Sequence, residues 1–316
     1  MTDTQSKIAI VGAGSVGATV AYACMIRGVG KRIVLYDVNR KKVDAEVLDL
    51  NHGLQFVPMA DITGSDDPAV CADADVVVIT AGAKQKPGQT RMDLAGANVA
   101  ILKKMLPDLT KAAPNAIYLL VTNPVDVITY ATLKLTGLPR ERVFGSGTVL
   151  DSSRFRFLIA KHLNVAVQNV HAYIAGEHGD SEIPLWSSAD IGQVSLNEWA
   201  VPGHGRITTE DRTTIFENVK TAAYQIVEGK GATNYAIGLS TAKILEAILR
   251  SESRVLPVSS LLTGYRGIDD VCLSVPCIVD AAGVGAPLPI PLNEAELAGL
   301  RNSADTIRAA ITSLGF

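Results

Sequence analysis

Five short apolar runs, separated by helical patterns, constrain the first half of this 316-residue chain more than any other feature. They are "KIAIVG", "RIVLYD", "ADVVVITA", "AIYLLVT" and "RVFGSG". A strand with one solvated face alternates apolar and polar residues, and these runs do not. They are expected to be strands buried on both faces. Helical patterns lie between them, at residues 16–27 and 41–50 for example. Strand, helix and strand repeated in this way predict a doubly wound parallel α/β sheet.

The first strand runs into "VGAGSVG", which holds Gly12, Gly14 and Gly17 in G-x-G-x-x-G spacing. Glycines at strand–helix turns are common, so the context decides: a predicted strand precedes the motif and a predicted helix follows it. Gly12 permits a tight turn, Gly14 lets a pyrophosphate approach the backbone, and Gly17 lets the helix pack closely on the strand. Phosphates would sit at the helix N-terminus, where unpaired N–H groups and the helix dipole favour anions. Asp37 ends the second strand, twenty residues beyond Gly17. A carboxylate there can accept from both ribose hydroxyls and would repel a 2′-phosphate, which favours NAD over NADP. The first half, residues 1–148, is expected to be an NAD-binding Rossmann domain.

The pattern changes near residue 150. "DSSRFRFLIAKHL" reads as a helix and "NVHAYIAG" as a strand. "RVLPVSSLL" and "VCLSVPCIV", joined by "TGYRGIDD", read as adjacent antiparallel strands, and "VPGHG" as a surface loop. In the tail, Asn293 and Glu296 have capping-box spacing, and Leu297, Leu300, Ala304, Ile307, Ile311 and Leu314 form an apolar helical stripe. Residues 149–316 are therefore expected to form an α+β substrate domain with antiparallel strands.

Bulk properties exclude several classes. The net charge of −3 favours neither nucleic acid nor an anionic membrane. No apolar run reaches spanning length, and "MTDTQSK" lacks the pattern of a signal peptide, so a cytoplasmic protein is expected. Cys24, Cys71, Cys272 and Cys277 form no C-x-x-C pair and read as reduced thiols. His162, His171, His178 and His204 show no metal-ligand spacing, and no metal is expected.

Four charged residues suggest a proton-transfer pair beside an anion site: Asp151, Arg154 three residues on, His178 in "GEHGDSE", and Arg91 at the end of "GAKQKPGQTR". Each has a plain alternative: a helix cap, a solvated helix residue, a structural histidine and a loop charge. Their joint occurrence behind a dinucleotide motif argues against all four alternatives holding at once.

"VGAGSVG", "TAGAKQKPGQTR", "VTNPVDV", "GSGTVLDSSRFR" and "AYIAGEHGDSE" resemble the L-lactate/malate dehydrogenase family, in order and spacing, from Lys7 to the final helix. The likeness is greatest to its bacterial L-lactate branch. The resemblance implies reversible reduction of pyruvate to (S)-lactate with NADH, in glycolysis or fermentation. It implies that His178 exchanges the proton of the carbonyl oxygen and that Asp151 orients and stabilises the imidazolium. Arg154 would grip the substrate carboxylate and Arg91 would polarise the carbonyl. Asn123 would touch substrate and cofactor, and Thr233 would line the substrate pocket. Val16, Lys42, Gly82, Ala83, Asn98, Val121 and Ser146 fall at positions that flank the cofactor in the family.

The cationic loop is then expected to close over substrate, delivering Arg91 and expelling water. Gln85 would face the substrate end distal to its carboxylate. Malate dehydrogenases carry arginine there; a glutamine would leave a second carboxylate unpaired, which costs on the order of several kcal/mol. Lys84 and Lys86 flank Gln85 and could supply a charge, so a malate or other 2-hydroxyacid dehydrogenase is the alternative. A non-catalytic NAD-binding regulator would not need the four charged residues together. Arg156 lies roughly 200° around the helix from Arg154 and cannot easily serve the same substrate. In allosteric members of the family an arginine and a histidine at the positions of Arg156 and His171 bind fructose 1,6-bisphosphate between subunits. The resemblance also implies a homotetramer, and one built by exchange of N-terminal arms is not expected.

Overall fold

The computed structural model describes residues 6–83 and 91–316, with Arg91 described through its backbone alone. In the first half β1 (Lys7–Val11), α1 (Ser15–Arg27), β2 (Arg32–Tyr36), α2 (Arg40–His52), β3 (Asp61–Ser65) and β4 (Val76–Ile79) follow one another. Then come α3 (Arg91–Ala112), β5 (Ile117–Leu120), α4 (Val125–Thr136) and β6 (Val143–Gly145). Six parallel strands lie in the order β3-β2-β1-β4-β5-β6, so the chain reverses its winding between β1 and β4. A crevice at such a reversal, above the carboxyl ends of the strands, is where ligands bind in open α/β sheets. All four residues of β4 and of β5 are buried, as the unbroken apolar runs require.

One strand of the first half escaped the sequence pattern. The strand β3, "DITGS", pairs in parallel with β2, yet only Ile62 in it is buried. It is an edge strand, and its polar residues face water on the side the sheet leaves open.

The second half contributes α5 (Val149–Leu163), then the two-residue strands β7 (Val170–His171), β8 (Ile174–Ala175), β9 (Ile183–Pro184), β10 (Asp190–Ile191) and β11 (Val194–Ser195). After these come α6 (Thr209–Lys230), α7 (Tyr235–Leu249), β12 (Arg254–Leu262), β13 (Val271–Asp280), β14 (Gly283–Pro287) and α8 (Glu294–Ser313). "NVHAYIAG" is thus not one strand. Val170–His171 pairs with β10 and Ile174–Ala175 with β9, in separate small sheets, because the chain changes partner at Ala172 and Tyr173. The long hairpin is antiparallel as expected, with Leu256 opposite Cys277 and Ser259 opposite Ser274. It does not form a separate sheet: Ser259 pairs with Gly145, so β12, β13 and β14 extend the parallel sheet to nine strands.

The helix α8 opens with the capping box, Asn293 and Glu296 each accepting from the other's backbone N–H. Leu300, Ala304, Ile307 and Ile311 of its stripe are buried and join the main core, while Leu297 and Leu314 are half-buried. The four cysteines are buried and unbridged. No helix among the described residues is long and apolar enough to cross a membrane.

Candidate active site

The dinucleotide motif folds as its spacing predicts. Gly12 takes φ +103°, and a Cβ there would meet the Ala81 backbone at 2.7 Å. A Cβ on Gly17 would lie 1.9 Å from the Gly12 carbonyl oxygen, so α1 can sit this close to β1 only with glycine. Among the described residues, a Cβ on Gly14 would stand 4.0 Å from Lys42 Nζ, with no closer contact outside its own helix and chain neighbours. No side chain among the described residues caps α1 at Gly14, which leaves the first N–H groups of the helix open to that space. Val16, in its first turn, is half-buried. Asp37 accepts from Ala13 N at 2.8 Å and from Asn39 N at 3.0 Å, which fixes its carboxylate beside the glycine loop. An open glycine cradle, an uncapped helix end, a lysine and a fixed carboxylate suit a pyrophosphate and ribose.

Across the crevice, Gly82 and Ala83 are exposed, while Val121 and Ser146 are buried at the ends of neighbouring strands. Asn98 is buried too, and its amide is used by the protein: Oδ1 accepts from Ala83 N and Nδ2 donates to the Asn123 carbonyl, each at 2.7 Å. It therefore holds two loops of the crevice in register. Residues 84–90, with Gln85, Lys84 and Lys86, lie outside the described residues, as does the side chain of Arg91.

A cavity of about 570 Å³ opens beside this crevice, lined by Asn123, Asp151, Arg154, His178, Glu182, Lys220 and Thr233 among others. Three elements supply its charged groups. Asp151 and Arg154 stand on α5, whose 3-residue spacing keeps them on one face. Asp151 does not cap its helix: Oδ2 meets His178 Nδ1 at 2.5 Å and Oδ1 accepts from Arg154 Nη1 at 2.6 Å. Burial pulls the His178 pKa down, but the Asp151 charge and hydrogen bond outweigh it and carry it up to about 9. Burial likewise opposes Asp151's ionisation, and His178 and Arg154 overcome it, holding its carboxyl below the usual range. His178 keeps 24% of its side-chain surface and Arg154 15%, enough for both to reach a small ligand.

The loop that carries His178 is tied down at successive residues. Gly176, at φ +90°, exchanges backbone hydrogen bonds with Ser274 of β13. Glu177 N donates to Ser303 Oγ of α8 at 2.6 Å. His178 N donates to Asp126 Oδ2 at 2.8 Å, and Asp126 Oδ1 accepts from Ser259 Oγ of β12 at 2.6 Å. Asp126 is 1% exposed, and burial, resisted by these two hydrogen bonds, pushes its pKa up to about 6. Sequence reasoning passed over Asp126, although a lone carboxylate in the apolar stretch "VDVITYATL" is a signal. It also passed over Glu182. Ligand atoms of Glu182, His178 and Asp151 lie within 4.8 Å of one another, a proximity that histidine spacing in the chain could not reveal. Tyr224, on α6, donates to Asp180 Oδ1 at 3.2 Å, and so links that helix to the same loop.

Arg156 faces away from Arg154, as the helical angle requires. Its Nε donates to the Ala172 carbonyl at 2.7 Å and its guanidinium lies over the Tyr173 ring. His171, next to that segment, is exposed. Arg156 lines a second cavity, of about 550 Å³, together with Arg27, Lys243 and Arg254. Burial, then Arg254 and Arg156, push the Lys243 pKa down.

Comparison with known proteins agrees with this geometry. Residues 6–145 match the NAD binding domain of lactate/malate dehydrogenase, and residues 148–314 match the alpha/beta C-terminal domain of the same family. The chain is 56% identical over 312 residues to an L-lactate dehydrogenase of Bifidobacterium animalis subsp. lactis, covering 98% of each. It is 47% identical to an L-lactate dehydrogenase of Acetivibrio thermocellus, over 98% of this chain and 97% of that one. Among solved structures, MGS-M5, a lactate dehydrogenase from a Medee basin deep-sea metagenome library, superposes with TM-score 0.94 at 39% identity, over 99% of each chain. The minor L-lactate dehydrogenase of Enterococcus mundtii also gives TM-score 0.94, at 40% identity over 98% of this chain and 99% of that one.

Proposed function

The chain belongs to the lactate/malate dehydrogenase family, and on that premise we propose that it is an L-lactate dehydrogenase, reducing pyruvate to (S)-lactate and running the reverse reaction. The observation that carries the reading is the His178–Asp151 pair at 2.5 Å, with Arg154 in the same cavity beside a dinucleotide cradle. When bound, NADH supplies the hydride that reaches the carbonyl carbon.

The protein's own groups do the rest. The imidazolium of His178, held charged by Asp151, gives its proton to the carbonyl oxygen as that oxygen becomes an alcohol. Neutral His178 then takes the proton back in lactate oxidation. Arg154 pairs with the substrate carboxylate through its planar two-pronged guanidinium, exchanging part of its contact with Asp151 for the ligand. Asn123 and Thr233 line the same cavity and hold substrate orientation. Arg91 polarises the carbonyl, and Gln85 accepts a methyl group where a second carboxylate would stay unpaired; both roles rest on sequence. For the cofactor we assign Gly12, Gly14, Val16, Gly17, Asp37 and Lys42 to the phosphates and ribose, and Gly82, Ala83, Val121, Asn123 and Ser146 to the other half. Asn98 holds their backbone.

For control, we assign Arg156 and His171 to a fructose 1,6-bisphosphate site in a homotetramer. The support is the cavity that Arg156 shares with Arg27, Lys243 and Arg254: Glu246 and Glu252 pair with Arg27 and Arg254, yet burial and the remaining positive charge still push the Lys243 pKa down, and an anion would relieve that. One experiment tests both levels: kcat/KM for pyruvate and for oxaloacetate, with and without fructose 1,6-bisphosphate. Pyruvate should lead by about 100-fold or more, the penalty for an unpaired second carboxylate, and the bisphosphate should lower pyruvate KM. An oxaloacetate preference would move the chain to the malate branch. A KM indifferent to the bisphosphate would remove the effector site.

A further inference from the structure

Glu182 lies in the substrate cavity and has no task in the chemistry above. It is 5% exposed, and its Oε1 is buried with no hydrogen-bond partner among the described residues. A buried carboxylate oxygen without a donor is unusual, and its position makes it more so. The charged groups that face it are Asp151 and Arg154 on α5, Lys220 on α6, and His178 on its own loop. Asp180 of that loop is engaged with Tyr224, and Asp126 lies behind the His178 backbone.

Consider the two protonation states. As a carboxylate, Glu182 would hold a second negative charge beside Asp151 in a space with little water, with one oxygen undonated. It would also compete for Arg154, the group expected to take the substrate's carboxylate. As a neutral acid it adds no charge, can donate its single O–H, and leaves Arg154 to the ligand.

We propose that Glu182 sets when the cavity accepts its substrate: neutral, it admits a monoanionic 2-oxo or 2-hydroxy acid; ionised, it excludes that anion. The proposal rests on the 2-oxo acid reading of this cavity and deepens it. Glu182 is here a specificity-determining residue, and no bond of the substrate is made or broken by it. Burial first, and then the Asp151 charge, push its pKa up to about 8 against the opposing pulls of His178, Arg154 and Lys220. The change of state therefore falls just above neutrality.

His178 titrates nearby, so the test must separate the two groups. Loss of the His178 proton weakens pyruvate reduction but favours lactate oxidation, which needs the neutral imidazole. Ionisation of Glu182 repels both anions alike. The experiment is KM for pyruvate and KM for lactate, from pH 6 to 9.5, on the full-length wild type and Glu182→Gln. In the wild type pyruvate KM should rise from pH 8, and lactate KM, which deprotonation of His178 would otherwise lower up to pH 9, should stay level to pH 9 and rise above it, the Glu182 limb approaching about 10-fold per pH unit in each direction. In E182Q the limb shared by the two directions should vanish, leaving pyruvate with the His178 limb alone. A wild type without a shared limb, or an E182Q that keeps it, overturns the proposal.

A measurement on the wild type covers the case in which E182Q does not fold. At pH 8.5, binding of oxamate, the amide analogue of pyruvate, to the NADH complex should take up roughly one proton per site. His178 alone would account for about a quarter of one. Uptake of a quarter or less sinks the idea. If pyruvate and lactate turn over without the shared limb, this proposal falls and the parent reading stands. If neither turns over at any pH, both fall.

Discussion

Asp151 decides the state of His178. Burial alone would leave the imidazole neutral near pH 7; the carboxylate at 2.5 Å reverses that and raises the pKa to about 9. The protonated form, which pyruvate reduction needs, is present below that pKa and lost as pH rises through it. In Asp151→Asn the charge disappears while the shape remains, so the pKa should fall toward the ordinary value of about 6.5. At pH 8 this change reduces the protonated fraction by roughly 30-fold, and kcat/KM for pyruvate should fall at least as far. A pH–rate profile of the variant checks it: an upper limb still near 9 would mean that Asp151 only orients the ring. Asp151, Arg154 and His178 were legible from the chain because local motifs hold them. Asp126 and Glu182 were not, since what makes them matter is a partner 52 residues away in one case and a missing donor in the other.

At the scale of elements, the sequence showed which segments are buried but not what they are buried against. The runs that became β1, β2, β4, β5 and β6 were readable because both faces are apolar. The edge strand β3 was not, because its pairing with β2 comes from backbone hydrogen bonds that leave no apolar signature. "NVHAYIAG" was read as one strand because its composition is uniform, while its two ends find different partners. Asp126 shows the energetic side of such long-range joins, since it bonds α4 both to Ser259 of β12 and to the backbone of His178. Its folded-state pKa, about 6, lies above the ordinary carboxylate value. The proton is therefore bound more tightly in the folded chain, and the stability this confers is present at low pH and lost as pH rises through 6. Asp126→Asn keeps an acceptor for His178 N and removes the buried charge, so its stability relative to wild type should improve between pH 5 and 7. Asp126→Ala leaves a buried N–H without an acceptor and should lose about 2–3 kcal/mol. Urea unfolding of the three proteins at both pH values decides this, and equal losses for the Asn and Ala variants would refute the charge argument.

For the whole molecule, the consequence lies in the junction between β6 and β12. The family's two domain models meet between residues 145 and 148, yet one nine-stranded sheet runs through that boundary by way of the Gly145–Ser259 pair. A Cβ on Gly145 would press on Thr129 Oγ1 at 2.6 Å and Val125 Cγ2 at 2.7 Å, so the join depends on close contact with α4 as well as on the sheet. Sequence patterning registers the change of composition near residue 150 and not the hydrogen bonding across that boundary. A shared sheet and a shared core predict a single cooperative unfolding transition. The chain carries its own reporters: Trp186 and Trp199 both lie in the second half, whereas the dinucleotide cradle lies in the first. A ligand that binds only the folded state stabilises the unit it binds by about 2.7 kcal/mol at 100 times its Kd. Saturating NAD should therefore raise the melting temperature seen by tryptophan emission as much as that seen by far-ultraviolet dichroism. If the tryptophan transition stays in place while the dichroism moves, the halves unfold separately and the sheet join carries little of the stability.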